Sequence, residues 1–317
     1  MPIAGNPPGR VLFVLGKGGV GRSTVAAALG ACFASRGERT LLVEWTLGEP
    51  IAPWFGLPPA GHAAVEIAPR LSVMNYTLAE TMREYFVDHL GMRRLHDKVI
   101  ASRHVQVALR AAPGFEELFF LGRLFWLSEL AAKEGAQEFD RIVVDAPATG
   151  HAASLLGLPA HLASLHGSGL FELELTRVRT MLGDARWTSA VVVALAEELA
   201  CEETKELVPL VTRELSRPPL ALVVNRSVAA AVPDASGAAE PAPAWLEALA
   251  ARLPETRALF SELRERRQRE RTLAAELGPR CALGALCLAD GLFGATPLAP
   301  RELVQSLGET LAAWLPA

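Results

Sequence analysis

The sequence lacks long hydrophobic runs, although 50% of its 317 residues are hydrophobic. A membrane-spanning helix needs about 20 consecutive apolar residues, and no stretch of that kind occurs. The first ten residues contain no basic segment followed by an apolar one, which is the pattern of a secretory signal. We therefore expect a cytoplasmic protein with a sizeable core, either free in the cytoplasm or peripheral to a membrane.

Paired cysteines and a strong charge bias are also missing. The four cysteines form no C-x-x-C pair, the spacing typical of zinc sites and thioredoxin-like redox centres. Free thiols in a reducing compartment are the expectation. The formal net charge is −4, without the basic excess of nucleic-acid-binding proteins, so nucleic acid is not expected as a partner.

Short apolar segments alternate with helical ones along the chain. Val11–Leu15 is fully apolar, an alanine-rich helical segment follows from about Ser23 to Ser35, and Thr40–Glu44 resembles a second strand. This order is a βαβ unit. Further strands are predicted at Arg141–Asp145, Ser189–Leu195 and Leu220–Val224, with a last one within Cys281–Ala289. The pattern predicts an α/β fold with a doubly wound, mostly parallel sheet.

We expect one domain over residues 1–317, with helical inserts at 78–135 and 155–182 and a flexible Ala/Pro-rich loop at 229–244. Large apolar side chains recur at helical spacing in the first insert. Two interpretations stay open. These side chains either pack against the core or present an apolar surface to a partner, such as a hydrophobic protein client or a membrane protein.

The most specific motif directly follows the first strand. It has phosphate-loop spacing, with a second glycine five residues after the first and a hydroxyl residue two further on, and it opens the alanine-rich helix. Backbone N–H groups of such a loop surround a phosphate, and the helix N-terminus favours negative charge. Ser23 is placed to bind Mg²⁺ and Thr24 to contact the α-phosphate. The predicted ATP-binding residues of the loop are Gly16, Lys17, Gly18, Gly19, Val20, Gly21, Arg22, Ser23 and Thr24.

Residues 17–24, K-G-G-V-G-R-S-T, carry a lysine beyond the ordinary loop pattern. They resemble the deviant Walker A motif of the family that contains the arsenical-pump ATPase, the tail-anchored-protein targeting ATPase and the Min and Par positioning ATPases. The resemblance implies a dimer with two nucleotides at its interface, in which Lys17 reaches the nucleotide of the partner subunit. That dimer is either a homodimer or a heterodimer with a paralogous ATPase.

A second phrase narrows the resemblance to one branch. Residues 145–151, D-A-P-A-T-G-H, are similar to the switch II segment of the arsenical-pump and targeting ATPases. Asp145 ends an apolar strand, where a carboxylate holds the Mg²⁺ shell. Residues 113–117 and 198–204 resemble further patches of that branch. Residues 223–225 resemble its V-V-N segment, which implies that Asn225 contacts adenine.

Two departures from the family pattern concern catalysis. Arg22 stands where the phosphate-loop lysine belongs, and its guanidinium is larger and planar. Thr46 aligns with the aspartate that orients the attacking water, and a hydroxyl is no base at neutral pH. Glu44 or Glu49 is a candidate substitute. The candidate catalytic residues are thus Lys17, Arg22 and Glu44, and we expect weak hydrolysis.

Three functions stay open at this point. The first is a Mg-ATP hydrolase whose dimer opens and closes and moves a helical surface that binds a client or partner. The second is a poorly hydrolysing subunit that pairs with an intact paralogue and donates Lys17 in trans. The third, a Min- or Par-like positioning ATPase, is disfavoured by the switch II phrase and by the long helical insert.

Overall fold

The computed structural model describes residues 8–45, 48, 50–89, 114–130, 139–147, 155–158, 170–231, 256–289 and 298–316. Within these residues, eight strands form one sheet in the order β3-β4-β2-β5-β1-β6-β7-β8. The strands are β1 (Val11–Gly16), β2 (Thr40–Glu44), β3 (Val65–Ala68), β4 (Leu71–Asn75), β5 (Arg141–Asp145), β6 (Thr188–Ala194), β7 (Ala221–Val224) and β8 (Ala285–Cys287).

The described helices pack on both faces of this sheet. They are α1 (Arg22–Ser35), α2 (Ile51–Trp54), α3 (Leu78–Arg83), α4 (Phe115–Phe125), α5 (Leu170–Gly183), α6 (Glu198–Leu215), α7 (Val228–Ala231), α8 (Thr256–Leu277) and α9 (Pro300–Trp314). Two π-helical turns, Glu84–His89 and Trp126–Leu130, continue α3 and α4, and a 3₁₀ turn, Gly278–Arg280, follows α8. No helix among the described residues has the length and apolarity that crossing a membrane requires.

Alternate residues of the central strand β1 face two separate cores. Phe13 is fully buried in a core with side chains of α4, α5, α6 and α8, whereas Val14 is buried with side chains of α1, α2 and α9. Every strand of this sheet pairs in parallel except the edge strand β3, which is antiparallel to β4. The prediction of a doubly wound, mostly parallel α/β fold is therefore confirmed.

Strands β3 and β4 were not predicted. Strand β4 is buried along its length although it contains Ser72 and Asn75, and β3 is a short, partly exposed edge strand. Strand β4 pairs with β2, and β3 pairs with β4. This pairing depends on tertiary contacts that the local sequence of each strand does not reveal.

The predicted inserts and loop are described in part. Helices α3 and α4 with their π-helical turns lie within residues 78–135, and α5 overlaps the end of 155–182. Residues 229–231 of the predicted flexible loop lie in helix α7, and residues 232–244 lie outside the described residues. The division into one domain with two inserts stays a prediction.

The register of the parallel strands places several polar residues at one edge of the sheet. Asp145 of β5 pairs with Val14 of β1 on one side and with Glu44 of β2 on the other. The phosphate loop leaves β1 at this edge, and Asn225 follows β7 there. Ligands of open α/β sheets bind at the carboxyl ends of the strands, so this edge is the place to look for a site.

Candidate nucleotide site

Residues 17–21 form a loop between β1 and α1 that relies on glycine conformation. Gly19 has φ +85° and Gly21 has φ +88°, a region that side chains strongly disfavour. A Cβ placed on Gly18 or Gly19 would meet no atom within 4 Å. The loop therefore borders open space at the N-terminus of α1, where backbone N–H groups and the helix dipole favour an anion.

The same loop is fastened to the end of β7. Asn225 is 4% exposed, and its Nδ2 donates to the carbonyl oxygen of Val20 at 2.9 Å. A Cβ on Gly21 would collide with that Nδ2, so a glycine is required where the two segments meet. This bracing role was not anticipated from the sequence, because the two residues are 205 positions apart. The contact of Asn225 with adenine stays a prediction.

Ser23 and Asp145, the two predicted magnesium ligands, are brought together. The Oγ of Ser23 donates to Oδ2 of Asp145 at 2.5 Å. Asp145 is 2% exposed, and burial raises the pKa of its carboxyl, while the Ser23 hydrogen bond and the Arg22 charge oppose that shift. Its Oδ1 has no hydrogen-bond partner among the described residues.

A buried carboxylate oxygen without a partner is costly unless a cation or donor satisfies it. A hydroxyl and a carboxylate are oxygen ligands of the kind that Mg²⁺ prefers. The residues therefore fit a Mg²⁺ ion held by Ser23 and Asp145 beside the phosphate loop.

Arg22, predicted to bind the nucleotide and to take part in catalysis, contacts the end of β5 in this structure, and its role at the nucleotide stays a prediction. Its Nη1 donates to the carbonyl oxygen of Ala146, the residue after Asp145. A Cβ on Gly16 would lie 3.4 Å from Cγ of Arg22, so the arginine stem lies against Gly16. Burial lowers the pKa of the guanidinium, and attraction to Asp145 opposes this shift. Arg22 thus joins the phosphate loop to the first residues of the switch II segment.

Lys17 makes an ion pair within its own chain. Its Nζ lies 3.0 Å from Oε1 of Glu203 in α6, and the two side chains are 28% and 34% exposed. The partly exposed position leaves the lysine near the open side of the loop. Its predicted contact with the nucleotide of a partner subunit is not tested by a single chain and stays a prediction.

Glu44, the candidate substitute base, is fully buried. Its Oε1 accepts the backbone N–H of Ile51 at 3.2 Å, and its Cα is in register with that of Asp145 on the neighbouring strand. The glutamate therefore braces the start of α2 at the edge of the site. Its catalytic role stays a prediction. The other candidate base, Glu49, and Thr46, which replaces the family's aspartate, lie outside the described residues.

An aromatic cluster joins this edge of the sheet to the helical insert. Trp45 directly follows β2, and its ring centroid lies 4.6 Å from that of Phe120 in α4 and 5.1 Å from that of Tyr76. Tyr76 contacts Phe120 edge to face at 4.9 Å, and its hydroxyl donates to the backbone carbonyl of Glu116 at 3.1 Å. Only the aromatic type of these residues is visible in the sequence, whereas the contact between them depends on the fold.

A buried parallel strand, a glycine-dependent loop, a helix N-terminus and a carboxylate on the adjacent strand together define a P-loop nucleotide-binding protein. The comparison with known families agrees. A model for the anion-transporting ATPases, ArsA_ATPase, matches residues 9–168, about half of the chain. The chain belongs to this family, and the resemblance derived from the phosphate loop and the switch II phrase is confirmed.

Individual relatives carry related names. ATPase BagA of Mycobacterium tuberculosis is 31% identical over 229 residues, which cover 70% of this chain and 66% of BagA. ATPase GET3B of Arabidopsis thaliana is 24% identical over 260 residues, covering 67% of this chain and 62% of GET3B. The arsenical pump-driving ATPase of Escherichia coli is 30% identical over 161 residues, covering 48% of this chain and 26% of that protein. The chain thus spans less than two thirds of the length of each relative.

Proposed function

We propose that this chain is a Mg-ATP-binding ATPase subunit that works as a dimer and transmits the state of its nucleotide site to the helical insert. The observation that carries the proposal is the contact between Ser23 and Asp145, with the second carboxylate oxygen buried and without a partner among the described residues. A bound Mg²⁺ supplies charge neutralisation at the phosphates.

The protein contributes binding and orientation around that ion. Backbone N–H groups of residues 17–21 surround the phosphates, Ser23 and Asp145 hold the Mg²⁺, and Asn225 keeps the loop in place from the end of β7 while its amide contacts adenine. In the proposed dimer, Lys17 leaves Glu203 and contacts the nucleotide of the partner subunit. The partial exposure of Lys17 supports this movement, because its ion pair with Glu203 is itself partly exposed to solvent.

The route from the site to the insert runs through Trp45. This residue directly follows Glu44, at the sheet edge, and leads into the segment that contains Thr46. Its ring packs on Phe120, and Tyr76 ties the same cluster to the backbone of α4. A shift of the segment after β2 is therefore passed to α4 by contact, since packed rings transmit displacement rather than absorb it.

The insert offers an aromatic surface for a hydrophobic protein client or a membrane-protein partner. Tyr85 and Phe86 of the π-helical turn contact Phe119 at centroid distances of 5.7 and 6.4 Å, and Phe115 lies 4.8 Å from Phe119. These four rings are partly exposed rather than buried in the core. Clustered, partly exposed aromatic rings are typical of protein-binding surfaces.

A second candidate function has an observation of its own. The guanidinium of Arg22 is engaged with Ala146, whereas the lysine of an ordinary phosphate loop contacts the phosphates. Loss of one preorganised electrostatic contact commonly lowers turnover by about a hundredfold or more. This geometry favours a poorly hydrolysing subunit that pairs with an intact paralogue and donates Lys17 to it.

Calorimetric titration of the full-length protein with Mg-ATP tests the nucleotide site. Ser23→Ala should weaken Mg-ATP binding by about tenfold or more, because one Mg²⁺ ligand is lost. Ser35→Ala is the matched control: Ser35 is at the other end of α1, and its hydroxyl donates to the carbonyl of Cys32, so binding should be unchanged. Equal affinities in wild type and Ser23→Ala would remove the magnesium assignment.

A further inference from the structure

We infer that Arg22 makes this subunit insensitive to the γ-phosphate, so that its site binds Mg-ADP and Mg-ATP with nearly equal affinity. The inference rests on the proposed nucleotide site and specifies its regulation. The site transmits whether a nucleotide is bound, and it does not distinguish a bound triphosphate from a bound diphosphate.

The first step of the argument is the position of Ala146, which is fully buried. Its N–H donates to the carbonyl of Val14 in β1 at 3.3 Å, and its carbonyl accepts from Nη1 of Arg22. The first residue after Asp145 is therefore held on both sides by the protein itself. In phosphate-loop proteins that switch, the segment after this aspartate is ordered by contacts with the γ-phosphate and its Mg²⁺. Here its first residue is held by the carbonyl of Val14 and by Arg22.

The second step concerns what would be lost if Arg22 turned to a phosphate. The carbonyl of Ala146 would lose the donor that it has in this structure, and the buried carboxylate of Asp145 would lose a neighbouring positive charge. A buried polar group left without its partner carries a substantial cost. The contact of Arg22 with a γ-phosphate would therefore have to offset two losses inside the protein.

The third step is the difference between arginine and lysine. Arginine presents a planar fork of donors on a stiff head, and here the stem lies against Gly16 while the fork meets Ala146. Lysine is a compact point charge with freely rotating donors, which suits it to follow a phosphate. A lysine at this position would contact the phosphates of the nucleotide, whereas Arg22 contacts Ala146 in the segment that resembles switch II.

The consequence follows from linkage. A ligand shifts a conformational equilibrium only by its differential affinity for the two states. Since Arg22 and Val14 hold Ala146 in place with Mg-ADP as well as with Mg-ATP, the γ-phosphate adds little differential contact at Ala146. Mg-ADP and Mg-ATP should therefore bind with similar affinity and leave the start of the switch II segment in the same arrangement. A subunit of this kind responds to whether a nucleotide is bound.

Calorimetry with Mg-ADP and with a non-hydrolysable ATP analogue tests the inference on the full-length protein. The two affinities should agree within about threefold in the wild type, and Arg22→Lys should prefer the triphosphate by about tenfold or more. Arg217→Lys is the matched control. Its guanidinium is also bound to backbone carbonyls, those of Leu182 and Thr188, at the opposite end of β6, so the ratio should stay that of the wild type.

A wild type that prefers the triphosphate analogue tenfold or more overturns the inference while leaving the nucleotide site intact. A wild type that binds neither nucleotide refutes the proposed function, and the inference with it. If Arg22→Lys does not fold, hydrogen exchange of the wild type decides. Protection of residues 139–147 should be the same with either nucleotide, and a difference between the two states contradicts the role of Arg22.

Discussion

The Nζ of Lys17 lies 3.0 Å from Oε1 of Glu203, so the lysine that the family resemblance assigns to a partner's nucleotide is paired within its own chain. Both side chains are partly exposed, and ion pairs of this kind contribute only about 0.2–1 kcal/mol. The pair is therefore weak enough to exchange for a phosphate but strong enough to compete with dimer formation.

This competition predicts that Glu203→Gln strengthens nucleotide-dependent dimerisation. Each subunit of the dimer releases one Lys17, so the dimer dissociation constant in Mg-ATP should fall by about 2- to 30-fold, the range that corresponds to two such ion pairs. Sedimentation velocity over a concentration series measures this. Glu202→Gln serves as the control, because Glu202 pairs with Lys205 at 2.8 Å instead. Weaker dimerisation of Glu203→Gln would assign Glu203 to the interface itself.

Asp145→Asn should stabilise the nucleotide-free protein at neutral pH while weakening Mg-ATP binding. Burial raises the pKa of this carboxyl, so the folded state binds its proton more tightly than the unfolded state does. The carboxyl therefore lowers the free energy of unfolding as pH rises from the unfolded pKa through the raised folded pKa. Asparagine carries no charge and keeps an acceptor for Ser23.

Urea unfolding of wild type and Asp145→Asn across that pH window measures the effect. The advantage of the variant should be present above the folded pKa of Asp145 and shrink below the unfolded pKa, where both side chains are neutral. An asparagine variant that is less stable than the wild type at every pH would contradict the assignment of Asp145 as a buried carboxylate that Ser23 and Arg22 compensate only in part.

Tyr76→Phe should loosen the link between the sheet edge and helix α4 without emptying the aromatic cluster. The variant removes only the hydrogen bond from Tyr76 to the backbone of Glu116. We expect the free energy of unfolding to fall by about 1 kcal/mol. Mg-ATP affinity should be retained, while nucleotide-induced protection of residues 115–125 in hydrogen exchange should decrease.

Tyr85→Phe is the control for this experiment, because it also removes one tyrosine hydroxyl. The Tyr85 ring packs on Phe86 and Phe119, outside the cluster of Trp45, Tyr76 and Phe120. It should leave the nucleotide response of α4 as in the wild type. An unchanged response in Tyr76→Phe as well would remove this hydrogen bond from the proposed route.

Glu270→Ala should be strongly destabilising. Glu270 is 1% exposed, and its carboxylate accepts hydrogen bonds from the Ser227 hydroxyl and from the N–H groups of Val228 and Ala229, at 2.8–2.9 Å. These residues follow Asn225, so the carboxylate fixes the chain as it leaves the site. Buried donors that lose their acceptor cost about 1–3 kcal/mol each, so we expect a loss of at least 2 kcal/mol in urea unfolding.

The exposed Glu276 on the same helix is the control for that loss. It lies 3.8 Å from Lys205, and Glu276→Ala should change the free energy of unfolding by no more than about 0.5 kcal/mol. Equal stabilities of the two alanine variants would show that the three hydrogen bonds to Glu270 contribute little.

The parts of the site that are local in sequence were predictable. Ser23 follows directly from the spacing of the phosphate loop, and Asp145 from its position at the end of an apolar strand. Their contact at 2.5 Å follows once β1 and β5 are neighbours in the sheet. Secondary structure and strand register are therefore sufficient to predict that Ser23 and Asp145 lie close together.

The rest depends on contacts between distant segments. Arg22 meets Ala146 across 124 positions, and the brace from Asn225 to Val20 spans 205. A side chain with several possible acceptors shows no preference among them until the fold brings one close. Strand β4 was missed for a related reason, because its Ser72 and Asn75 are buried by neighbouring elements rather than by a strong local pattern.

Titration of the wild-type protein with ATP, in excess Mg²⁺ and again in excess EDTA, tests the central claim most directly. If Ser23 and Asp145 hold Mg²⁺ beside the phosphate loop, binding is saturable in Mg²⁺ and weakened by about tenfold or more in EDTA, because the buried carboxylate then repels the phosphates. Absence of binding in Mg²⁺, or equal affinity in both buffers, would contradict the account.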